Sequence, residues 1–410
     1  MLDCGMSFTA DLHLHSRYAY ACSKNLTLAN MTAWAKVKVI DLLSTADFTH
    51  PAWLSGLEKD LTQAGDGDLE FDGVRFVLGT EISCVYKQGG RSRRVHLLVF
   101  APGFEAVHRI REMLEKLDSK LNGDGRPTVR ASARDLTAWL LEIDEACMVV
   151  PAHIWTPWYG MLGSKSGFDA LDECFEDMTS FIPAVETGLS SDPKMNWGVP
   201  ALAGKTIVSF SDAHSLPNMG RELTVFQGSP GYRDLTAGLK ENRVERTLEF
   251  FPEEGKYHLT GHRKCGVSQT PDQTDDHGTR CPECGRPLTL GVLHRVRELS
   301  PDAPQIPEAQ IPEAQILEDD KRPYTKLTTL VEILAHTMGR GRGTKGVAVA
   351  YQRVCGELGG EVRVLTQAGY DDIKQASGEA LAIAVTKIRK GQVEIVSGYD
   401  GQYGTVLPAD

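Results

Sequence analysis

Thr9-Ala10-Asp11-Leu12-His13-Leu14-His15-Ser16 is a strand-like run near the start of the chain with two histidines two residues apart, and Ser211-Asp212-Ala213-His214-Ser215 repeats the device downstream. Residues i and i+2 of a strand share one face, so each pair aims two ligands into one cavity. Between them lie Asp47, Glu81, His96 and His153, most at or just after short apolar runs such as 74–78, 95–100 and 206–210. These runs alternate with helical stretches, one of which is predicted over 105–121 from apolar residues at helical spacing. Strands alternating with helices predict parallel βα units. A barrel of such units carries its site at the C-terminal ends of its strands, which is where most of these side chains fall.

A chain of 410 residues exceeds what one hydrophobic core usually supports, so more than one domain is expected. Its 41% hydrophobic and 24% charged residues are those of a soluble globular protein. No basic segment followed by an apolar stretch opens the chain, and no apolar run is long enough to cross a bilayer, so a cytoplasmic location is expected. Nine cysteines are an odd number for a disulfide framework, and Cys4, Cys22, Cys84, Cys147, Cys174 and Cys355 are scattered without ligand spacing. They read as reduced thiols. The net charge of -11 does not exclude DNA, because the acid is concentrated in the first 255 residues and in 300–323.

After the α/β segment 1–254, a unit at 255–299 contains His262-Arg263-Lys264-Cys265 and, fifteen residues on, Cys281-Pro282-Glu283-Cys284. That spacing folds two knuckles around one tetrahedral Zn²⁺, and three thiolates with one imidazole suit a closed structural site, a zinc-ribbon module. His258, His277 and His294 are substitutes should His262 not ligate. Residues 300–323 carry an imperfect Pro/Glu/Gln repeat that blocks helix and has little to bury, and this is read as a linker. A sliding clamp is a candidate partner through its glutamines, although the repetition fits a spacer better.

Residues 324–410 read as a small all-α domain. Gly341-Arg342-Gly343-Thr344-Lys345-Gly346-Val347 lies between two helical stretches, and Ala376-Ser377-Gly378-Glu379-Ala380 precedes another. Both resemble helix-hairpin-helix elements, whose glycines let backbone N–H groups and a helix N-terminus approach a DNA phosphate, with Arg340, Arg342 and Lys345 adding charge. Arg91, Arg93 and Arg94 form a basic loop just before His96, suited to hold a phosphate. Trp155 and Trp158 fall near His153, where an extruded base could stack.

Imidazole and carboxylate bind Zn²⁺ or Mn²⁺, and a carboxylate bridges two ions. Two or three such ions ionise a water and clamp the attacking and leaving oxygens of a phosphodiester. A lone His-X-His is also an ordinary half-buried pair; the further carboxylates and imidazoles at strand ends favour the metal. At His13-Leu14-His15, Thr45-Ala46-Asp47, Gly79-Thr80-Glu81, Val95-His96, Pro151-Ala152-His153 and Ser211-Asp212-Ala213-His214 the sequence resembles the PHP superfamily of metal-dependent phosphoesterases, which implies a distorted βα barrel. The resemblance implies one ion among His13, His15, Glu81 and Asp212, a second held by His96 and His153 with Glu81 bridging, and a third taking Asp47 and His214. Asp47 departs from the histidine that many relatives use. Glu186 would be an outer ligand or proton carrier.

Within the superfamily the sequence is similar to the endonuclease Q family over essentially the whole chain. The matching pieces include Arg94-Val95-His96, Gly125-Arg126-Pro127, Thr156-Pro157-Trp158, Gly188-Leu189-Ser190-Ser191-Asp192 and Gly220-Arg221-Glu222. Phe210 stands where that family commonly has Asn; an amide reads a base edge, a phenyl ring only stacks. The resemblance implies a DNA repair endonuclease that nicks 5′ to deaminated bases, with Asp212, Glu81 and Glu186 as catalytic residues, Trp155, Trp158 and Phe210 around the base, two or three divalent ions (Zn²⁺, Mn²⁺ or Mg²⁺) and one structural Zn²⁺. Rival readings are a small-molecule phosphoesterase and a non-catalytic DNA-binding protein.

Overall fold

The computed structural model describes residues 6–65, 68–300 and 322–409. Its strands are β1 (Ser7–Asp11), β2 (Leu42–Ser44), β3 (Thr62–Gln63), β4 (Leu69–Phe71), β5 (Val74–Gln88), β6 (Arg91–Ala101), β7 (Thr128–Val129), β8 (Met148–Pro151) and β9 (Ala184–Glu186). They continue with β10 (Thr206–Val208), β11 (Leu223–Gln227), β12 (Val244–Glu249), β13 (Thr260–His262), β14 (Val267–Gln269), β15 (Tyr324–Lys326), β16 (Val393–Val396) and β17 (Thr405–Pro408).

β1, β2 and β5 run parallel, as do β9 and β10. The expected βα units are these. The other main pairings, β5 with β6, β6 with β8, β1 with β11 and β11 with β12, are antiparallel. For the longest of them the cause is local: Gly89 and Gly90, at φ 60° and 73°, close β5 onto β6 in a two-residue turn. Such a turn takes positive φ at both positions and matches the twist of the strands it joins. Arg91, Arg93 and Arg94 therefore lie on β6, and the basic loop expected there is a strand. The helix expected over 105–121 spans Phe104–Lys116 and ends where Asp118 turns to a left-handed φ of 56°.

The result is a distorted βα barrel. One apolar cluster takes side chains from nearly every barrel strand, among them Phe8, Leu42, Val77, Leu98, Val150, Ala184, Val208 and Phe226, and fills the interior. A larger cluster packs the helices outside the sheet, with Phe48, Trp53, Phe76, Ile110 and Leu136 in it. After the barrel come the β13–β14 hairpin and the helices Pro271–His277 and Val292–Leu299. The Pro/Glu/Gln repeat, and with it the candidate clamp contact, lies at 301–321, outside the described residues, as does Cys4. β15 then pairs in parallel with β12, returning the chain to the barrel sheet. The helices Leu330–Thr337, Lys345–Leu358, Glu361–Thr366, Tyr370–Ser377 and Glu379–Arg389 follow, and the β16–β17 hairpin closes the chain. Among the described residues no helix is long and apolar enough to cross a membrane.

Behind the barrel mouth, Glu249 at the end of β12 is fully buried, its Oε2 accepting from Ser209 Oγ at 2.9 Å and Thr187 Oγ1 at 3.3 Å. Burial pushes its pKa up to about 8, against the hydroxyls around it, Ser209 and Thr187 among them, which lower it. A carboxyl whose folded pKa is raised contributes stability that is complete below its ordinary value of 4.5 and is lost as pH rises toward 8. Glu249→Gln should therefore gain on the wild type steadily from pH 5 to pH 8 in urea denaturation; a constant difference across that range would show that Glu249 does not titrate there.

Candidate metal centre

The sequence-predicted ligands converge from segments on or after β1, β2, β5, β6, β8 and β10. His13 and His15 follow β1, and Leu14 bridges in parallel to Ala213, which brings Asp212 and His214 beside them. Asp11 fixes that approach: its Oδ1 accepts the Ser211 N–H at 3.0 Å and its Oδ2 the Gly220 N–H at 2.7 Å. Glu81 and His96 sit within β5 and β6, where the register Ser83↔His96 sets them on one face, two positions apart. His153 follows β8. His153 and Asp212 take left-handed φ values of 30° and 46°, as does Asp47 at 40°. Backbone held there by a non-glycine residue is costly, and its clustering around one point marks a functional site.

Glu81 is the hub. Its Oε1 lies 2.5 Å from His96 Nδ1, 3.1 Å from His153 Nε2 and 3.6 Å from His13 Nε2; its Oε2 lies 3.6 Å from His15 Nε2. Asp212 Oδ1 is 3.1 Å from His15 Nε2, 3.4 Å from His13 Nε2 and 3.5 Å from His214 Nδ1. The sets His13/His15/Glu81, Glu81/His96/His153, His13/His153/Asp212 and His15/Asp212/His214 each bring one ligand atom per residue within 4.8 Å of the others.

Three imidazoles are held at Nδ1 so that Nε2 points inward. Glu186 accepts from His13 Nδ1 at 2.9 Å, Asp47 faces His15 Nδ1 at 3.4 Å, and Thr156 Oγ1 stands 3.1 Å from His153 Nδ1. Such outer partners fix the tautomer and aim the other nitrogen at an ion. Asp47, expected as a ligand, lies outside these sets: its Oδ2 accepts the Ser16 N–H at 2.6 Å and its Oδ1 faces His15. Glu186 takes the outer role, its second oxygen accepting the His153 N–H at 2.7 Å. Glu186→Gln should cost about 10- to 100-fold in metal affinity, the usual effect of losing such a partner; calorimetric titration giving unchanged affinity would remove it from the centre.

The arrangement fits divalent ions. His13 Nε2 is buried without a hydrogen-bond partner, and His96 Nδ1 faces His153 Nε2 at 3.3 Å. Ring nitrogens gathered on carboxylate oxygens in this way are a ligand set. Burial alone would lower the His15 pKa; Asp212 and Asp47 overrule it and raise it to about 9. Burial would likewise raise Glu81, and His96 and His13 hold it well below the ordinary carboxylate value.

At a distance, His262, Cys265, Cys281 and Cys284 gather into a second set, with Cys284 Sγ 3.5 Å from His262 Nδ1. The substitutes stay out of it; His294, for instance, pairs with Glu298 at 3.3 Å.

The aromatic and basic expectations divide. Trp158 is 38% exposed and lines the mouth. Trp155 and Phe210 are fully buried, so neither can stack on a base. The Trp155 indole N–H donates to Asn196 Oδ1 at 2.8 Å, and the Phe210 ring belongs to the barrel interior because it follows β10 in register with that face. Arg93 turns inward, its guanidinium 4.1 Å from the Phe168 ring centroid and donating to the Gly167 carbonyl. Arg94 lies over Tyr159, whose ring packs on His96 at 4.3 Å, and Arg91 is exposed. Arg340, Arg342 and Lys345 are exposed at the loop before the helix Lys345–Leu358, and Arg342 Nη1 reaches Glu332 at 3.2 Å.

Sequence reasoning assigned no role to Arg126, which donates to Glu81 Oε2 at 3.2 Å, nor to Arg221, which holds the Ser211 and Asp212 carbonyls at 2.8 and 3.2 Å. Both sit in segments noted for their family resemblance, which was the available signal.

A distorted βα barrel with imidazoles and carboxylates converging at its mouth defines a metal-dependent hydrolase. The lesion-specific endonuclease PfuEndoQ from Pyrococcus furiosus has 30% sequence identity with the chain and a TM-score of 0.84, covering 98% of this chain and 96% of that one. The chain belongs to the endonuclease Q family. An endonuclease Q solved with a 27-mer duplex carrying an abasic lesion at the active site gives a TM-score of 0.86 at 29% identity, covering 99% of this chain and 97% of that one. The family model of the MJ0043 C-terminal domain matches residues 329–392. The protein MJ0043 of Methanocaldococcus jannaschii is 30% identical over 262 residues, 62% of this chain, and the chain covers 31% of that protein's length.

Proposed function

We propose that the chain hydrolyses the DNA phosphodiester on the 5′ side of a deaminated base (deoxyuridine, deoxyinosine or xanthine) or an abasic site, leaving a 3′ hydroxyl and a 5′ phosphate. One observation carries this reading. His96, His153 and Asp212 line a cavity of about 610 Å³ to which Gly255, Lys256 and Tyr257 from the start of the Cys/His unit, Thr329, Glu332 and Arg342 from the helical unit, and Tyr403 also contribute. A small phosphate ester needs none of these later segments; a nucleic acid spans them.

Two or three divalent ions (Zn²⁺, Mn²⁺ or Mg²⁺) at His13, His15, Glu81, His96, His153, Asp212 and His214 would supply water activation and offset charge on the phosphate. Glu81 lies within reach of both histidine sets and would be the carboxylate shared between the ions they hold. Asp212 joins His13 and His15 to His214 and holds its charge, kept well below the ordinary carboxylate value against burial by these histidines. Glu186 orients His13 through Nδ1, which would aim its Nε2 at an ion. Arg221, Lys256 and Arg342 line the cavity and offer positive charge to backbone phosphates. Extruding a nucleotide costs a few kcal/mol, least at a damaged site, which favours lesions over intact DNA.

The segments 1–254, 255–299, 300–323 and 324–410 then act as phosphoesterase, zinc-ribbon, linker and helix-hairpin-helix units, with one structural Zn²⁺ at His262, Cys265, Cys281 and Cys284. The test is cleavage of end-labelled duplexes bearing one deoxyuridine, deoxyinosine or abasic site, beside an undamaged control, with Mg²⁺, Mn²⁺ and Zn²⁺ assayed separately. A single nick 5′ to the lesion, lost in Asp212→Asn, is the expected result. Intact DNA alongside turnover of a generic phosphate ester would overturn it in favour of a small-molecule phosphoesterase.

A further inference from the structure

The loop between β16 and β17 is far in sequence from every ligand, yet it is stitched to the segment leaving the barrel. Gly398 N–H donates to the Glu253 carbonyl at 2.8 Å, Leu259 N–H to Gly398 at 2.9 Å, Gly401 N–H to Lys256 at 2.8 Å and Gly404 N–H to Glu254 at 3.0 Å. The Asp400 carboxylate accepts the Arg263 N–H and the Thr289 hydroxyl, each at 2.7 Å. A Cβ on Gly398 would come within 2.3 Å of the Gly255 carbonyl oxygen and one on Gly404 within 2.3 Å of that of Glu253, so only bare backbone fits this close.

The loop so anchored presents one exposed aromatic ring to solvent. Tyr403 is 63% exposed, and it lines the same cavity as His96, His153 and Asp212. Lys256 Nζ sits 4.6 Å from the Tyr403 ring centroid. Across the cavity Trp158 and Tyr257 pack edge to face at 5.5 Å. An aromatic ring exposed on a rigid loop, with an ammonium beside it and metal-ligating groups in the same cavity, suits a nucleotide: the ring stacks a base and the cation meets its phosphate. A merely structural tyrosine would bury its ring under the loop that carries it.

We propose that Tyr403, with Lys256, is a nucleotide-binding site of the C-terminal hairpin, stacking a base of the DNA next to the reacting phosphodiester. This rests on the proposed function and adds to it a contact from the end of the chain. The β16–β17 hairpin, by this inference, is part of the substrate surface and not an appendage of the helices.

The test uses the full-length, metal-loaded chain and a duplex with one abasic site whose neighbouring base is 2-aminopurine. Tyr403→Ala should raise KM roughly tenfold, the scale of one lost base–aromatic stack, with kcat moving less than KM. It should also lose the quenching of 2-aminopurine that binding to the wild type produces. Tyr403→Phe keeps the ring and should restore both, and Lys256→Met should weaken binding with a shallower salt dependence. Wild-type KM and quenching in Tyr403→Ala would overturn the inference alone, as would a Tyr403→Phe variant as weak as Tyr403→Ala. A wild-type chain that bound no duplex would overturn it together with the DNA reading.

Discussion

Glu81→Gln is expected to lose at least about a thousandfold in cleavage rate: Lewis-acid stabilisation of a phosphoryl transition state is worth several kcal/mol, and each 1.4 kcal/mol is a factor of ten. The replacement keeps the shape and removes the charge. Among the described residues Glu81 is the one carboxylate within 3.6 Å of ring nitrogens from His13, His15, His96 and His153, so it serves both halves of the centre. Metal analysis of the purified variant should show fewer tightly held ions, and single-turnover cleavage should fall in step. A variant that kept wild-type cleavage with full metal content would mean that Glu81 does not bridge. Arg126, which holds Glu81 Oε2 at 3.2 Å, distinguishes the charge from the shape: it would remain beside a neutral amide and repel a cation it now tolerates.

Lys38→Met is expected to destabilise the attachment of the helical unit by about 3–5 kcal/mol, the cost of leaving one member of a buried ion pair unpaired. Lys38, at the end of the helix Leu28–Lys38, is 1% exposed and its ammonium contacts Glu361 Oε2 directly. Glu361 is buried too. Its Oε2 accepts the Tyr351 hydroxyl at 2.7 Å and its Oε1 the Leu330 N–H at 2.9 Å, so one carboxylate ties a barrel helix to the start of the first helix of the helical unit. Trp34 stacks on Tyr351 at 5.7 Å, and the ammonium lies over both rings. Hydrogen exchange over 330–389 reads this opening locally and should speed up in Lys38→Met. The double variant Lys38→Met, Glu361→Met removes both charges and should recover most of the loss, because a buried pair exchanged for apolar volume is often near neutral. Equal exchange in wild type and Lys38→Met would show that the pair contributes nothing to holding the unit.

Much of the centre was legible because its chemistry is written in residue types at strand period. His13-Leu14-His15 and Asp212-Ala213-His214 announce a shared face, and Glu81, His96 and His153 lie in or just after apolar runs. The Cys/His spacing named its own four residues and their order. What failed were statements about direction. Asp47 carries the right chemistry, and its carboxylate accepts the Ser16 N–H and faces His15 Nδ1. Trp155 and Phe210 each stand two residues from a ligand, where an unbroken strand would give them its face, but the left-handed backbone at His153 and Asp212 breaks the alternation and both rings are core. Arg93 shows the same effect: its charge is visible in the sequence, while the Phe168 ring that captures it comes from a distant segment.

The sequence by itself determined the class of chemistry, the barrel as its scaffold and the helices of the C-terminal region, since these depend on local pattern, spacing and turn residues. Only the tertiary structure decided the antiparallel half of the barrel, the Lys38–Glu361 tie and the arrival of Tyr403 at the cavity that His96, His153 and Asp212 line. Those depend on pairings across up to hundreds of residues. Their energies come from burial and from partners that a linear pattern does not encode.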